Sequence, residues 1–279
     1  MRLLDFAADT NSQSGEDGII AKMLEFLPSR NHWCVEFGAW DGQFLSNTCN
    51  LIDHAGFSAV LIEPDQQRFQ DLLRRHGKNS KVIALNRFVG FSRGDSLDTL
   101  LAQTPIPKDF DLLSIDIDGN DFHVWKAVAD YHPKLVCIEY NPTIPNEVDF
   151  LQPPDPDISQ GSSLSALTRL AREKGYELVC VTRLNAFYVD APLFPAFSIL
   201  DNSIPVLRED RASITHFFSG YDGTIFLTGA DRSPWNDIRY RPRIRQLPTV
   251  FRVYIGRHGK IRFHAFRLYR AVLKLLGRG

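Results

Sequence analysis

The sequence predicts an α/β fold: a mostly parallel seven-stranded sheet with helices on both faces and an antiparallel hairpin at one edge. Short apolar runs alternate with segments of helical apolar spacing from Trp33 to Glu173. Each run is nearly continuous, as in strands buried on both faces. The last two runs, Glu177–Thr182 and Ala186–Val189, have little more than Leu184-Asn185 between them. That gap is too short for a crossover helix, so the second run returns antiparallel.

The elements follow in order. Ile19, Ile20, Met23 and Leu24 give Gly18–Phe26 one apolar helical face. Trp33–Gly38 is a strand that ends in a glycine turn, and Asn47–His54 forms the next helix. Ala59–Glu63, Lys81–Phe88, Asp111–Ile117 and Lys134–Tyr140 are the further strands. Asp65–Arg75, Leu97–Ala102, Phe122–Asp130 and Leu164–Glu173 are the helices that connect them, the last stopping at Gly175. Residues 141–162 and 190–235 are rich in Pro, Asp, Asn and Ser and are expected to be substrate-side insertions.

A chain of 279 residues with 44% apolar composition can bury one large core plus an appended segment. We expect a domain over 1–235, its core about 12–195, and a C-terminal extension over 236–279. The net charge of −1 conceals an asymmetry, because 12 Lys/Arg and no Asp or Glu lie from Arg239 onward. The acidic remainder argues against nucleic acid as a partner. Cys34, Cys49, Cys137 and Cys180 have no metal or redox spacing and are expected to be buried thiols. With no export-type opening and no apolar run of about 18 residues, a cytoplasmic protein is expected.

Ligands of open α/β sheets bind beyond the carboxyl ends of the strands. There the first strand ends Glu36-Phe37-Gly38-Ala39-Trp40-Asp41-Gly42, and the second ends Ile62-Glu63-Pro64-Asp65. Gly38 permits a tight turn beneath a ligand, and Glu63 can accept both hydroxyls of a ribose. Acids around the turn suit a cationic sulfonium cofactor and would repel a pyrophosphate. The cofactor-binding candidates are therefore Glu36, Gly38, Ala39, Asp41, Glu63 and Asp116, with Trp40 either lining the pocket or packing.

Leu113-Ser114-Ile115-Asp116-Ile117-Asp118-Gly119-Asn120-Asp121 puts three acids at the fourth strand tip, and the fifth ends Ile138-Glu139-Tyr140-Asn141. Alternation sends Asp116 and Asp118 to one side, and Gly119 supplies the sharp turn. Asp116, Asp118 and Asn141 form an oxygen set for Mg²⁺ or another divalent ion. Alternatively Asp116 or Glu139 is a general base. His123 is a further base candidate or an ordinary helix-start residue, while His32, His54, His76 and His132 are expected to face solvent. P-loop, zinc and Ser/His/Asp signatures are absent.

These motifs resemble the FkbM-like family of class I S-adenosylmethionine-dependent methyltransferases. The matching stretches are Gln13-Ser14-Gly15-Glu16-Asp17-Gly18, Val35–Gly42 with Leu45-Ser46-Asn47-Thr48, Leu61–Pro64, Asp111–Asp121 and Val136–Pro142, joined by Gln160-Gly161-Ser162-Ser163-Leu164 and Asn185-Ala186-Phe187. The resemblance implies a Rossmann-like fold, S-adenosyl-L-methionine as cofactor, and O-methyl transfer, often to sugars or natural products. Where the family carries Asp-x-Glu-Gly, this chain has Asp116-Ile117-Asp118-Gly119, with a reach about 1.5 Å shorter. A sugar hydroxyl of a glycan or glycolipid precursor is the expected acceptor, with a small metabolite or protein side chain, or a non-catalytic cofactor-binding module, as alternatives.

Lys260–Arg278 forms a basic amphipathic helix with Arg267, Arg270, Lys274 and Arg278 together opposite an apolar arc. It suits an anionic membrane surface, here the inner face, or packing on its own domain or a second copy of the chain.

Overall fold

The computed structural model describes residues 2–222, 224–240, 248–251 and 259–276. Two compact units divide at Arg211/Ala212, upstream of the boundary expected at 235.

In the first unit the sheet is built from β1 (Trp33–Phe37), β2 (Ser58–Ile62), β3 (Val82–Leu85), β4 (Leu112–Ile115), β5 (Leu135–Glu139), β6 (Tyr176–Val181) and β7 (Asn185–Asp190). Its order is β3-β2-β1-β4-β5-β7-β6, and only β7 runs against the others. This is the expected Rossmann-like fold, edge hairpin included. The strand order reverses direction at β1 and β4, which opens a crevice beyond their carboxyl ends.

Side-chain alternation sorts the core into two layers. Val35, Phe37, Val60, Ile62, Leu113, Ile115, Val136 and Ile138 face α4 (Leu97–Leu101), α5 (Asp121–Ala127) and α6 (Leu164–Glu173). Cys34, Ala59, Leu61, Leu112, Leu135, Cys137 and Phe187 face α1 (Glu16–Glu25), α2 (Cys49–His54) and α3 (Gln66–His76). Burying each large apolar side chain contributes about 1.5–3 kcal/mol, so both faces of the sheet are committed. The four cysteines are buried free thiols.

Side chains fix the helix starts. Asp65 accepts from the Gln67 and Arg68 amides, Ser96 from Thr99 and Ser163 from Ala166. Ser163 also exchanges hydrogen bonds with the Phe150 backbone, which accounts for Gln160–Leu164 as a loop staple.

The stretch after β7 departs from expectation. Because β7 is reversed, Asp190 lies at the amino end of the sheet, bonded to Lys134 O, away from the crevice. Residues 191–197 form a short 3₁₀ helix there, with Phe197 buried. The chain then returns past β6 to α7 (Ile204–Leu207), and buried Arg208 donates to Pro142 O and Ile144 O on the loop after β5.

The second unit contains a hairpin, β8 (Thr215–Ser219) and β9 (Ile225–Gly229), in a stretch expected to be loop, and α8 (Lys260–Leu275). In α8, Phe266 is buried and packs on Phe251 at 5.7 Å between ring centroids. Ile261, Leu268, Val272, Leu275 and Leu276 remain exposed. No helix among the described residues is long and apolar enough to cross a membrane.

Candidate functional site

The alternation that sorts the core also aligns the strand tips. Cys34 and Cys137 point to the α1–α3 side, so Glu36 and Glu139, two residues further on within β1 and β5, share that side, while Glu63 and Asp116 are the first residues past β2 and β4. The β2, β1, β4 and β5 tips therefore present a row of acids at the crevice.

The turn after β1 is fixed by close approach. Gly38 sits at φ 74°, and a Cβ there would lie 1.9 Å from the Asp116 carbonyl oxygen. The glycine is thus needed for the close approach of the turn to the β4 tip. Ala39 is buried, and its amide bonds Ile62 O. Asp41 caps the turn through the Gln43 and Phe44 amides, and Gly42 packs against His76. His76 is buried with Nε2 3.1 Å from Gly42 O, so the solvent position expected for it is wrong. Trp40, in the left-handed region at φ 50°, is 41% exposed and stacks under the Arg68 guanidinium.

Glu36 stands below this turn. Its carboxylate accepts from Ser46 Oγ at 2.5 Å, Thr48 Oγ1 at 2.7 Å and the Asn47 amide at 2.8 Å. Burial raises its pKa. These bonds explain Leu45-Ser46-Asn47-Thr48 as the segment that ties the loop to the β1 tip. Glu63 accepts the Trp40 amide on Oε2 and the Asp65 amide on Oε1, both at 2.8 Å. Each oxygen keeps a second lone pair.

At the next tips, oxygens of Asp116, Asp118 and Glu139 come within 4.8 Å of one another. Strand alternation is not the cause of the Asp116–Asp118 pairing, because β4 ends at Ile115. Asp118 itself turns the chain at φ 57°, which Asp tolerates better than most residues. Gly119 was expected to make that turn; instead it admits the 152–159 segment, since a Cβ would sit 3.0 Å from Ile158 O. Asp121 accepts the Ile117 and Gly119 amides and closes the loop.

The cluster holds protons firmly. Burial, then the charges of Asp121, Asp118 and Glu36, pushes the Asp116 pKa up to about 8. Burial and then the Asp116 charge push Glu139 well above the usual carboxylate range. The two carboxyls are hydrogen-bonded to each other and share a proton. Burial raises Asp121 to about 6. No Lys, Arg or His among the described residues forms an ion pair with this trio.

Two sequence candidates stand apart. Asn141 spends its side chain on Thr143 and on Gln160 O, holding the loop after β5. His123 points Nε2 at Gln152 O, 2.8 Å away, between Phe91 and Phe122. Glu139, expected only as a base, is the residue that completes the trio.

No protein-family model and no curated protein matches the chain, so the FkbM-like resemblance rests on the motifs alone. Solved structures similar to it include the citrinin polyketide synthase CMeT domain, at 10% identity and TM-score 0.43, covering 63% of this chain and 51% of that one. The chain thus spans about half the length of that structure. The N-terminal domain of EvdMO1, solved in the presence of SAH and D-fucose, is similar at 14% identity and TM-score 0.42, over 65% of this chain and 84% of that one. A SAM-dependent methyltransferase from Aquifex aeolicus is similar at 14% identity and TM-score 0.37, over 61% and 88%.

Proposed function

We propose that the chain is an S-adenosylmethionine-dependent O-methyltransferase of the FkbM-like family, acting on a sugar hydroxyl of a glycan or glycolipid precursor. The carrying observation is that the Gly38 turn, Glu63 and the Asp116–Asp118–Glu139 trio stand at the carboxyl ends of adjacent strands. When bound, S-adenosylmethionine supplies an electrophilic methyl on a positively charged sulfur. The free lone pairs of Glu63 take the ribose hydroxyls, and the turn over Gly38 and Ala39 receives the amino-acid part. Asp116, hydrogen-bonded to Glu139, accepts the proton of the attacking hydroxyl. Held in line, the two reactants need little further help, since positioning supplies much of the acceleration. The trio also fits a divalent cation such as Mg²⁺, which would bind the acceptor oxygen and lower its pKa. Hard oxygen donors that close together favour such an ion.

Calorimetry with S-adenosylhomocysteine tests the cofactor placement. Glu63→Ala should weaken binding by about 1.5–3 kcal/mol, the range for hydrogen bonds to a charged group. Equal affinity in the two proteins would remove Glu63 from the site.

The exposed apolar stripe of α8, with Arg267, Arg270 and Lys274 on the opposite face and Arg278 outside the described residues, suits docking on the cytoplasmic face of an anionic membrane. Phe266 is already committed to Phe251 and contributes nothing to it. Each basic residue near the surface supplies about 1 kcal/mol. The full chain should sediment with anionic vesicles at low salt and be released near 1 M, where the Debye length is about 3 Å. Reversing the three charges to Glu should abolish sedimentation. Persistence in that variant would mean that the stripe covers protein instead.

A further inference from the structure

We propose that a divalent cation binds an oxygen set completed by Asn185, in which the side-chain Oδ1 of Asn185 joins the carboxylates of Asp116, Asp118 and Glu139. This deepens the methyltransferase reading and rests on it for its purpose, but binding of the ion can be measured separately. The trio supplies oxygens from β4 and β5. Asn185 opens β7 and stands directly opposite Glu139 in the antiparallel ladder. Residues paired in this way project to the same face of a sheet, with Cβ atoms about 5 Å apart.

The asparagine is 2% exposed, and its two amide branches are treated differently. Nδ2 donates to Glu16 Oε1 at 3.2 Å, and Thr182 Oγ1 donates to that same oxygen at 2.8 Å. The nitrogen is thus held by Glu16, while Oδ1 is buried with no hydrogen-bond partner. A buried amide oxygen in that condition, on the residue paired across the ladder with Glu139, is what a cation would satisfy. Adding an amide oxygen to carboxylates matches the preference of Mg²⁺ and Mn²⁺ for hard donors.

The same bonds give a role to two sequence motifs that the transfer chemistry leaves unused. Glu16 is fully buried and also accepts the Gln13 and Ser14 amides on Oε2. The Gln13–Gly18 loop therefore holds Glu16, and Glu16 holds the Asn185 amide in one orientation. Outer partners commonly orient metal ligands in this manner. The Asn185–Phe187 motif supplies the ligand itself. Asn141, the asparagine the sequence favoured, has both amide branches engaged within its own loop.

The experiment is titration of the full chain with Mn²⁺ alone, read by the resonance of the free ion, with S-adenosylhomocysteine calorimetry run in parallel. We expect one Mn²⁺ per chain, at least tenfold weaker binding in Asn185→Ser, and binding within twofold of wild type in Asn141→Ser. Because Asn185→Ser can fail to fold, a second measurement uses the wild-type protein. With asparagine side chains labelled with ¹⁵N, Mn²⁺ should show hyperfine coupling to an amide nitrogen two bonds beyond its oxygen ligand. No stoichiometric Mn²⁺ in wild type, while S-adenosylhomocysteine binds, overturns the cation site and leaves the methyltransferase reading standing. Mn²⁺ binding unchanged in a folded Asn185→Ser protein, or no ¹⁵N coupling, overturns the part given to Asn185. Mn²⁺ binding as expected without any binding of S-adenosylhomocysteine supports the cation site and removes the methyltransferase reading.

Discussion

Asp116→Asn should lower methyl transfer by about 10²–10⁴-fold while S-adenosylmethionine affinity stays within a few-fold, as expected for loss of a proton acceptor. The carboxyl sits at the β4 tip among acids, and its pKa of about 8 makes it a competent base just above neutrality. In chelator, transfer by the wild type, followed with labelled cofactor and a glycan or polar-lipid extract, should rise with pH and level off above about 8. Stability moves the opposite way. A carboxyl whose folded pKa is raised contributes stability that is complete below the unfolded value and lost as pH climbs through the folded one. For Asp116 that window runs from about 4 to about 8. In chelator, Asp116→Asn should therefore melt above wild type at pH 8 and together with it near pH 4. Turnover within threefold of wild type in this variant would place the base elsewhere. A melting difference that stays constant across the window would deny the raised pKa.

The strands were legible because each had to be buried on both faces, which leaves an apolar run that a sequence cannot disguise. The mostly parallel sheet, its edge hairpin and the α6 boundaries followed from those runs and the gaps between them. The site was legible as a set of acidic strand tips, but the division of labour within it was not. Glu36 and Glu63 look alike in sequence; what separates them is the Ser46–Thr48 segment, which folds back to engage one carboxylate and not the other. Asn141 and Asn185 are likewise indistinguishable until the antiparallel register sets Asn185 against Glu139. Contacts made by folding over many residues carry no local signal. The β8–β9 hairpin was a different miss, since two aromatic-rich runs around Tyr221-Asp222-Gly223-Thr224 do carry a turn signal. It was obscured by the polar composition of the surrounding stretch.

Gly38→Ala should destabilise the protein by roughly 3 kcal/mol or more and abolish S-adenosylhomocysteine binding, the largest effect expected of one methyl group in this fold. The new Cβ would lie 1.9 Å from the Asp116 carbonyl oxygen and 3.1 Å from its carbon, and both are backbone atoms. Relief requires the β1 and β4 tips to part, although Phe37 and Ile115 are paired immediately before them. Separating them displaces the turn that faces the cofactor and the Asp116 carboxyl together. Gly42→Ala is the control, because Gly42 shares the left-handed conformation at φ 75°. Its Cβ would crowd the His76 ring and touch Leu61 Cδ1 at 3.6 Å, both side chains rather than backbone. That variant should lose about 1–2 kcal/mol, the cost of the left-handed conformation, and keep measurable binding. The two effects separate conformational strain, common to both glycines, from the backbone collision present only at Gly38. Denaturant melts and calorimetry on the pair decide the matter. If Gly38→Ala melts within about 1 kcal/mol of Gly42→Ala and binds as tightly, strain alone explains the glycine, and close approach of β1 to β4 is not what shapes the turn.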